Sequence, residues 1–588
     1  MNRRDFIQSS ALAALALAVG CGKDDGGSRG GGAGSGGKGR RSGTVRDSSG
    51  APVPGVAVTD GWSVVKTDSA GAFSLQVHDD AEFVYICVPA AYEIPYGLDG
   101  YPAFFKRLRT APDLDFTLTP LPGGPQTKWN FLVVSDIHGN TSEAGGVPFA
   151  KLDRVVVPDI AASVGDYDNL YSVILGDIMT AASDNDWGYM YGKVKHGVSG
   201  AHFFMVPGNH DWWTSSQDTE PSIKHFTRRF GPTRWSFDRG DVHIVGMNNI
   251  LTSGLKADGV MMTGANNDYQ AGFTDEEFEW LKQDLSMVDK GKMVILCVHV
   301  PFGDGDNHST GRARHVAYHD ETVKLLSGFA SARIFSGHSH RNIRYAIGGG
   351  EKPVLETVHP GIIANYAYHT RICSDGTPSG YQYYSFDGPA ISNVRFKAIG
   401  RESQLRVYDG NAEISGTHHS PYSWKLEKGW LVANVFFINR FETGWKVELF
   451  QNGVKCCDMQ RMTTSAYTSS GISVPTYTLG LPVLGAPGSE AKVLGNRDWW
   501  LWQQFCEEAK DKYNKNGNTF KSKYDDISGS WLQASEHIYM GKLATVPQDI
   551  SSASFEVRVS DPYGNVYTCS ELTPMDGKTS DMVFWEKT

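Results

Sequence analysis

The chain is poor in cysteine, in long apolar runs and in positive charge. Eight cysteines stand in 588 residues, and no two form a CxxC pair. No thiolate metal site is therefore visible from spacing. Cys456-Cys457 reads as two ordinary strand residues rather than a redox centre. No apolar run approaches the roughly twenty residues that a membrane-spanning helix needs; the run at 11–20 is too short. Lys and Arg number 55 against 65 Asp and Glu, a net charge of −10. That excludes a generally basic nucleic-acid binder. An acidic chain that acts on anions needs a local source of positive charge, such as metal ions. No convincing internal repeat is present.

Other residue types are plentiful. There are 15 Trp, 25 Tyr and 28 Phe, too many for a disordered chain. The 66 Gly and 26 Pro exceed the usual share and favour turn-rich, strand-rich architecture. At about 150 residues per domain the length suits three or four domains.

The first residues read as an address. Arg3-Arg4 precedes a short apolar stretch and the small residues before Cys21, the layout of an export signal. Arg3-Arg4-Asp5-Phe6-Ile7 resembles a twin-arginine signal. Leu17-Ala18-Val19-Gly20-Cys21 resembles a bacterial lipobox, with Ala18 where Leu is usual. The resemblance implies a signal peptide at 1–20 and a lipid on Cys21, hence an exported, membrane-anchored lipoprotein, periplasmic or at the cell surface. Simple cleavage and release is the plainer alternative. Lys23-Asp24-Asp25 resembles the surface-export tags of some Gram-negative lipoproteins. Residues 21–42 read as a flexible, Gly-rich tether.

Three domains follow. Residues 43–121 show short strands at 43–45, 55–58, 64–67, 73–75 and 83–86, with a turn at Asp68-Ser69-Ala70-Gly71. This stretch resembles a small β-sandwich of carboxypeptidase-regulatory type. Leu121-Pro122-Gly123-Gly124-Pro125 marks a boundary. Residues 126–408 alternate apolar strands, at 131–135, 173–175, 203–206, 242–245, 293–298 and 333–335, with helical stretches. That pattern predicts an α/β domain. One helix is expected to start at a Thr274/Glu277 capping box, to bury Phe278, Leu281, Leu285 and Val288, and to end at Gly291. Residues 409–588 return to strands, at 430–437, 445–450 and 555–559. A helical stretch at 496–512 carries Trp499, Trp500 and Trp502, expected to pack against a neighbouring domain rather than stack on sugar rings.

The chemistry lies at the ends of the central strands. Asp136-Ile137-His138 follows the first, and in an extended segment residues two apart point to one side. Gly176-Asp177 follows the next, where glycine lets the backbone come close. Gly208-Asn209-His210-Asp211 follows the third. Asn209 offers an amide oxygen to a metal, His210 can face a substrate, and Asp211 is read as the partner that holds its tautomer. His299 ends a later strand, and Gly337-His338-Ser339-His340 ends the last. Each piece alone is commonplace. Their order, each at the carboxyl end of an apolar strand, is what an open α/β active site requires.

These five motifs resemble those of the calcineurin-like metallophosphoesterase superfamily: DxH, GD, GNH[D/E], a lone His and GHxH. The resemblance spans about 205 residues from Asp136 to His340. Arg371-Ile372-Cys373-Ser374-Asp375-Gly376-Thr377-Pro378-Ser379-Gly380-Tyr381 also looks like the Asp-Gly-rich loop of exported members with flanking domains. It implies a two-metal phosphoester hydrolase on a β-sandwich flanked by helices. In that reading Asp136, His138 and His340 hold one metal, Asn209, His299 and His338 hold the other, and Asp177 bridges them. His210 steadies the leaving oxygen.

Physical chemistry agrees with this expectation. A phosphoester anion repels hydroxide, and two divalent cations both acidify a bridging water and clamp the phosphoryl oxygens. Imidazole with carboxylate suits two transition-metal ions, Zn, Fe or Mn, better than Ca. In the basic loop 304–319, Arg312 is the candidate for substrate phosphate. Trp212-Trp213 can wall a leaving-group pocket or pack beneath the site, and Asp184-Asn185-Asp186 reads as surface.

The expected substrate is a phosphorylated small molecule, a glycan or a lipid head group, and not a nucleic-acid polymer. Diesters are favoured slightly over monoesters, because no strong Arg and Lys cluster follows the motifs. The alternative from another class is a surface binding or adhesion lipoprotein with a non-catalytic phosphoesterase-like domain.

Overall fold

A computed structural model describes residues 39–573, with breaks of which the longest are 213–221, 262–268, 304–315, 365–372, 412–426 and 479–536. The export segment with Cys21, the Trp499 to Trp502 stretch and Arg312 lie outside the described residues, as do Trp213, Asp375 and Gly376.

The N-terminal domain has seven short strands: β1 (Arg40–Asp47), β2 (Ala57–Thr59), β3 (Val64–Lys66), β4 (Ala72–Gln76), β5 (Phe83–Ile86), β6 (Phe105–Arg107) and β7 (Phe116–Leu118). They form two sheets, β4-β1-β7 and β3-β2-β5-β6. The alternating residues Phe73 and Leu75, and Phe116 and Leu118, turn inward onto Val58 and Val84. The Asp68 turn forms as expected, its carboxylate accepting from the Ala70 and Ala72 N–H groups. The tether ends earlier than its composition suggested. Arg40, Arg41 and Ser42 already pair with Gln76, Leu75 and Ser74, so strand pairing rather than glycine content sets the boundary.

The central domain is built on two large sheets, with short two-stranded pairs beside them. The first is built from β8 (Lys128–Val134), β9 (Leu170–Leu175), β10 (Phe203–Val206), β17 (Gly380–Asp387) and β18 (Ala390–Ala398), in the order β10-β9-β8-β17-β18. The second comprises β11 (Arg234–Arg239), β12 (Val242–Met247), β13 (Met293–Cys297), β14 (Ser331–Ser336), β15 (Ile343–Ile347) and β16 (Val354–Val358), in the order β11-β12-β13-β14-β16-β15. Side-chain alternation sorts each strand between two cores. Phe131 and Val133 face the other sheet, while Leu132 and Val134 face helices. Those helices are α1 (Val157–Val164), α2 (Asp184–Val194) and α3 (Ser222–Phe230), which bury Ile160, Trp187, Met190 and Phe226 on the outside of the first sheet. Helices α4 (Asp275–Ser286) and α5 (His319–Leu326) belong to the second sheet, with Trp280, Leu281 and Leu326 in its core.

The Thr274/Glu277 capping box opens α4 as expected. The helix stops at Ser286, however, with Met287 as its cap, and Asp289 rather than the helix receives the Gly291 N–H. Trp280 joins Leu281 and Leu285 as fully buried residues of this face, and Phe278 packs at its margin against Tyr318.

The C-terminal domain also has two four-stranded sheets, formed from β19 (Arg406–Asp409), β20 (Trp430–Asn434), β21 (Lys446–Gln451), β22 (Val454–Asp458), β23 (Gln460–Arg461), β24 (Ile538–Lys542), β25 (Phe555–Ser560) and β26 (Val566–Cys569), beside a separate two-stranded ribbon of Thr463–Ser469 with Ile472–Thr478. Strand β19 already pairs with β20, so this domain starts a few residues before 409. It is not a loose appendage. Phe396 and Ala398 of the central edge strand enter its core. Asn342, two residues after His340, donates its side-chain N–H to the Phe436 carbonyl.

Candidate metal centre and active site

The five motifs lie at one end of the two sheets. Strands β8, β9 and β10 are parallel neighbours and end just before Asp136, Asp177 and Asn209. Strands β13 and β14 are parallel neighbours and end just before His299 and His338. The carboxyl ends of both sheets therefore bring seven candidate ligands to one place.

The local backbone does not work as the spacing suggested. Asp136 (φ 49°), His138 (φ 50°), Asp177 (φ 48°), His338 (φ 65°) and His340 (φ 50°) all sit in the left-handed region. Left-handed backbone, not an extended segment, turns the Asp136 and His138 side chains to one side. Such angles are uncommon for residues other than glycine and cluster at functional sites. The loops also close on one another. A Cβ on Gly208 would collide with the backbone N and carboxylate of Asp177, and one on Gly337 would collide with Ser135 and Asp136.

The donors fall into two groups. Asp136, His138, Asp177 and His340 offer atoms within 4.8 Å of one another, and so do Asp177, His299 and His338. Asp177 is common to both. Its Oδ2 lies 3.2 Å from His138 Nε2 and 3.2 Å from His299 Nε2. Its Oδ1 accepts from the His210 backbone N–H at 2.8 Å. His340 Nε2 stands 3.1 Å from Asp136 Oδ1. The Asn209 amide oxygen is 3.1 Å from His299 Nε2, beside the second group. Asp136, His138, Asp177 and His299 are all at most 1% exposed.

The outer nitrogens are committed elsewhere. His299 Nδ1 is 2.7 Å from the Leu175 carbonyl, and His340 Nδ1 is 3.0 Å from the Ala364 carbonyl. A carbonyl only accepts, so each Nδ1 carries its proton and each Nε2 turns a lone pair inward. His338 is reversed: Nδ1 lies 3.3 Å from His299 Nε2, while Nε2 meets the Tyr269 hydroxyl. Electron-rich atoms facing one another in a buried site need a cation between them, either a proton or a metal. Three carboxylate-imidazole pairs and one amide oxygen fit divalent transition metals.

Charge on the groups follows the same logic. Burial opposes ionisation of Asp177, but His299, His210 and His138 around it hold its carboxyl well below the usual range. Burial likewise opposes the charge on His299, yet the Asp177 carboxylate lifts it to about 9. Burial pushes His138 down, outweighing the same carboxylate. Protons thus occupy part of the site where a metal would compete with them.

His210 stands beside this cluster, its ring centroid 4.6 Å from that of His138. Asp211 does not hold it, contrary to the sequence reading. The Asp211 carboxylate is buried and accepts from the backbone N–H groups of Gly208, Ile178 and Met179 at 2.8, 3.2 and 2.9 Å. Burial, with Asp177 adding to it, raises Asp211 to about 7 against those three donors. Asp211 ties the Asp177 loop to the Asn209 loop. The partner of His210 Nδ1 is the Thr180 carbonyl at 2.7 Å. Trp212 is half-buried, packs against both cores and donates to the Asn248 side-chain oxygen. Asp184 and Asp186 open α2 on the surface.

Supporting residues escaped the sequence reading. Besides Thr180, Ala364 and Tyr269, Glu356 links two ligand loops. It accepts from the Phe302 and Gly303 N–H groups at 3.0 and 2.7 Å and from the Ser336 hydroxyl at 2.8 Å. No motif flags it; a lone acid in an apolar strand was the available signal. Burial lifts its carboxyl from 4.5 to about 7, against these donors. A folded-state value above the unfolded one contributes stability below pH 4.5 that is lost as pH rises through about 7. Glu356→Gln is expected to flatten that decline, worth on the order of 3 kcal/mol. Denaturant unfolding across this pH range reads it, and an unchanged slope would refute the assignment.

Comparison with known proteins completes the picture. Residues 39–121 match the family model for the N-terminal domain of calcineurin-like phosphoesterase, 130–342 the calcineurin-like phosphoesterase model itself, and 359–473 its C-terminal domain. No curated protein matches the chain. Among solved structures, a phosphopantetheinyl hydrolase from Mycobacterium tuberculosis is similar at 13% identity, covering 40% of this chain and 89% of that one, with a TM-score of 0.24. A purple acid phosphatase from yellow lupin matches at 12% identity over 59% of this chain and 67% of its own, TM-score 0.33. A putative 5'-nucleotidase from Staphylococcus aureus matches at 15% identity over 46% of this chain and 53% of its own, TM-score 0.27. By the three family matches in succession, the chain belongs to the calcineurin-like phosphoesterases and is a metal-dependent phosphoester hydrolase with the N- and C-terminal domains of that family.

Proposed function

We propose that the protein hydrolyses phosphoesters with two divalent transition-metal ions, Zn, Fe or Mn, and favours diesters over monoesters. The observation that carries the two-metal reading is the position of Asp177 Oδ2, 3.2 Å from an imidazole nitrogen of each donor group. Asp136, His138 and His340 would hold one ion, and Asn209, His299 and His338 the other, with Asp177 shared. When bound, the ions supply Lewis acidity, which acidifies water and neutralises phosphoryl charge.

The chain's own residues do the rest. The Leu175 and Ala364 carbonyls hold the ligand imidazoles in one tautomer. The Thr180 carbonyl fixes the proton of His210 on Nδ1, so Nε2 is the atom that exchanges a proton with the leaving oxygen. Asp211 keeps the two loops in register. Arg312 remains our candidate for contact with substrate phosphate.

The substrate is a phosphorylated small molecule, glycan or lipid head group, met outside the cytoplasm by a lipoprotein anchored through Cys21. Among the described residues no helix is long and apolar enough to cross a membrane. The binding-protein alternative expects a degenerate site, and the donor set here is complete.

Turnover of paired aromatic phosphate mono- and diesters by the chain from residue 39, metal-stripped and then reloaded with Mn or Zn, tests the proposal. Metal-dependent turnover, faster for the diester, is expected. Monoester hydrolysis with no diester turnover would overturn the preference. No turnover and no bound metal would overturn the enzyme reading.

A further inference from the structure

A second set of donors lies away from the catalytic site, at the seam between the N-terminal sandwich and the central domain. Cys87 follows β5, Asp238 lies in β11 and His243 in β12. One ligand atom from each falls within 4.8 Å of the other two. The seam is tight there. Val88 forms a β-bridge with Phe237, and the Asp238 N–H donates to the Val88 carbonyl at 2.9 Å.

The buried ring of His243 is held on both sides. Nε2 is 2.8 Å from Asp284 Oδ2, and Ser236 Oγ–H donates to the other Asp284 oxygen at 2.8 Å. Nδ1 is 2.7 Å from Asp238 Oδ1, with the Cys87 sulfur within 4.8 Å of the donor atoms of both. Asp284 stands where an orienting carboxylate stands behind a metal-bound imidazole. It holds one ring N–H outward and leaves the other nitrogen to the ligand set.

We propose that Cys87, Asp238 and His243 bind one zinc-class divalent cation, which staples the N-terminal sandwich to the catalytic domain. Thiolate with imidazole and carboxylate is a zinc donor set, with water completing a tetrahedral site. The charge balance permits it. Without metal, the Asp238 and Asp284 carboxylates face the His243 imidazolium and Lys292, whose Nζ is 2.8 Å from Asp238 Oδ2. Metal entry releases two protons to solvent, one from the Cys87 thiol and one from His243 Nδ1. Two positive charges arrive as two leave, so the buried cluster keeps its net charge. Sequence spacing hid this site because Cys87 and the other two donors come from different domains.

The full chain loaded with Co(II) provides the test. The catalytic ligands include no thiolate, so a near-ultraviolet sulfur-to-cobalt charge-transfer band that depends on Cys87 reports the seam. The band is expected in the wild type and absent in Cys87→Ser. Zinc per chain, by atomic spectroscopy after gel filtration, should fall by one in Cys87→Ser and also in Asp238→Asn, which keeps the thiol. Far-ultraviolet circular dichroism confirms that both variants are folded. No band in the wild type, a band that persists in Cys87→Ser, or equal zinc in all three proteins would each overturn the proposal. None of these readouts depends on phosphoester turnover.

Discussion

Asp177→Asn is expected to lose phosphoester hydrolysis by roughly a thousandfold or more in kcat/KM, together with at least part of the bound metal. The substitution keeps the shape of the side chain and removes its charge. One Asp177 oxygen faces an imidazole nitrogen of each donor group, and the other accepts the His210 backbone N–H. An amide has one acceptor oxygen for these three demands. If that oxygen keeps the His210 N–H, its NH2 group points at the His138 and His299 Nε2 atoms and opposes metal entry. If it turns over, the His210 loop loses its anchor. Steady-state kinetics and metal content by atomic spectroscopy read both consequences. Turnover within tenfold of the wild type, at unchanged metal content, would show that Asp177 does not join the two groups.

His210→Gln should behave differently. We expect kcat to fall about 10²- to 10⁴-fold, the span of a lost general acid, with metal content unchanged. His210 belongs to neither donor group, and its Nδ1 is held by the Thr180 carbonyl. The loss should grow as the leaving alcohol becomes a poorer leaving group, because a good one departs without a proton. A series of aryl esters of graded leaving-group pKa measures this. Equal losses along the series would assign His210 to positioning alone.

Much of the site was legible in the sequence, because ligands at strand ends carry both a residue type and a place. Asp136, Asp177, Asn209, His299, His338 and His340 each follow a buried strand whose apolar run is plain to read. Backbone partners were not legible, since any residue carries a carbonyl. Only the fold brings the carbonyls of Thr180, Leu175 and Ala364 to His210, His299 and His340. The role of Asp211 was misread for a related reason. Adjacency in sequence suggested a pair, but the short helical turn at His210 sends the two side chains apart, and three buried N–H groups claim the carboxylate. The end of α4 was also overestimated. Val288 continues the apolar period, although the helix stops at Ser286. Boundaries drawn from composition shifted for the same kind of reason, since strand pairing reaches back to Arg40 and starts the C-terminal sheet at Arg406.

The domains flanking the catalytic body are joined to it by polar as well as apolar contacts. From Ser336, beside the ligand His338, a buried chain of hydrogen bonds runs through His359, Tyr384 and Gln382 to Asn342, which meets the Phe436 carbonyl. Burial drives His359 down to about 3, so its imidazole is neutral near pH 7. The C-terminal domain is therefore linked to the metal-binding end through direct side-chain and backbone hydrogen bonds.

The left-handed backbone at five of the candidate ligands also restricts what the site can become. Glycine takes that conformation most easily but brings no donor atom. Among the other residues, Asn, Asp and His enter it most readily. These are the same three residue types that make up the donor set here. Two unrelated filters, one steric and one coordinative, thus pass the same short alphabet. A Glu or Cys offered at Asp136, His138 or His340 would supply a competent donor and still meet resistance from the main chain. Variation around this centre should therefore exchange letters within that alphabet, and changes of metal preference should arise more readily at Asn209 or His299, which carry no such backbone constraint.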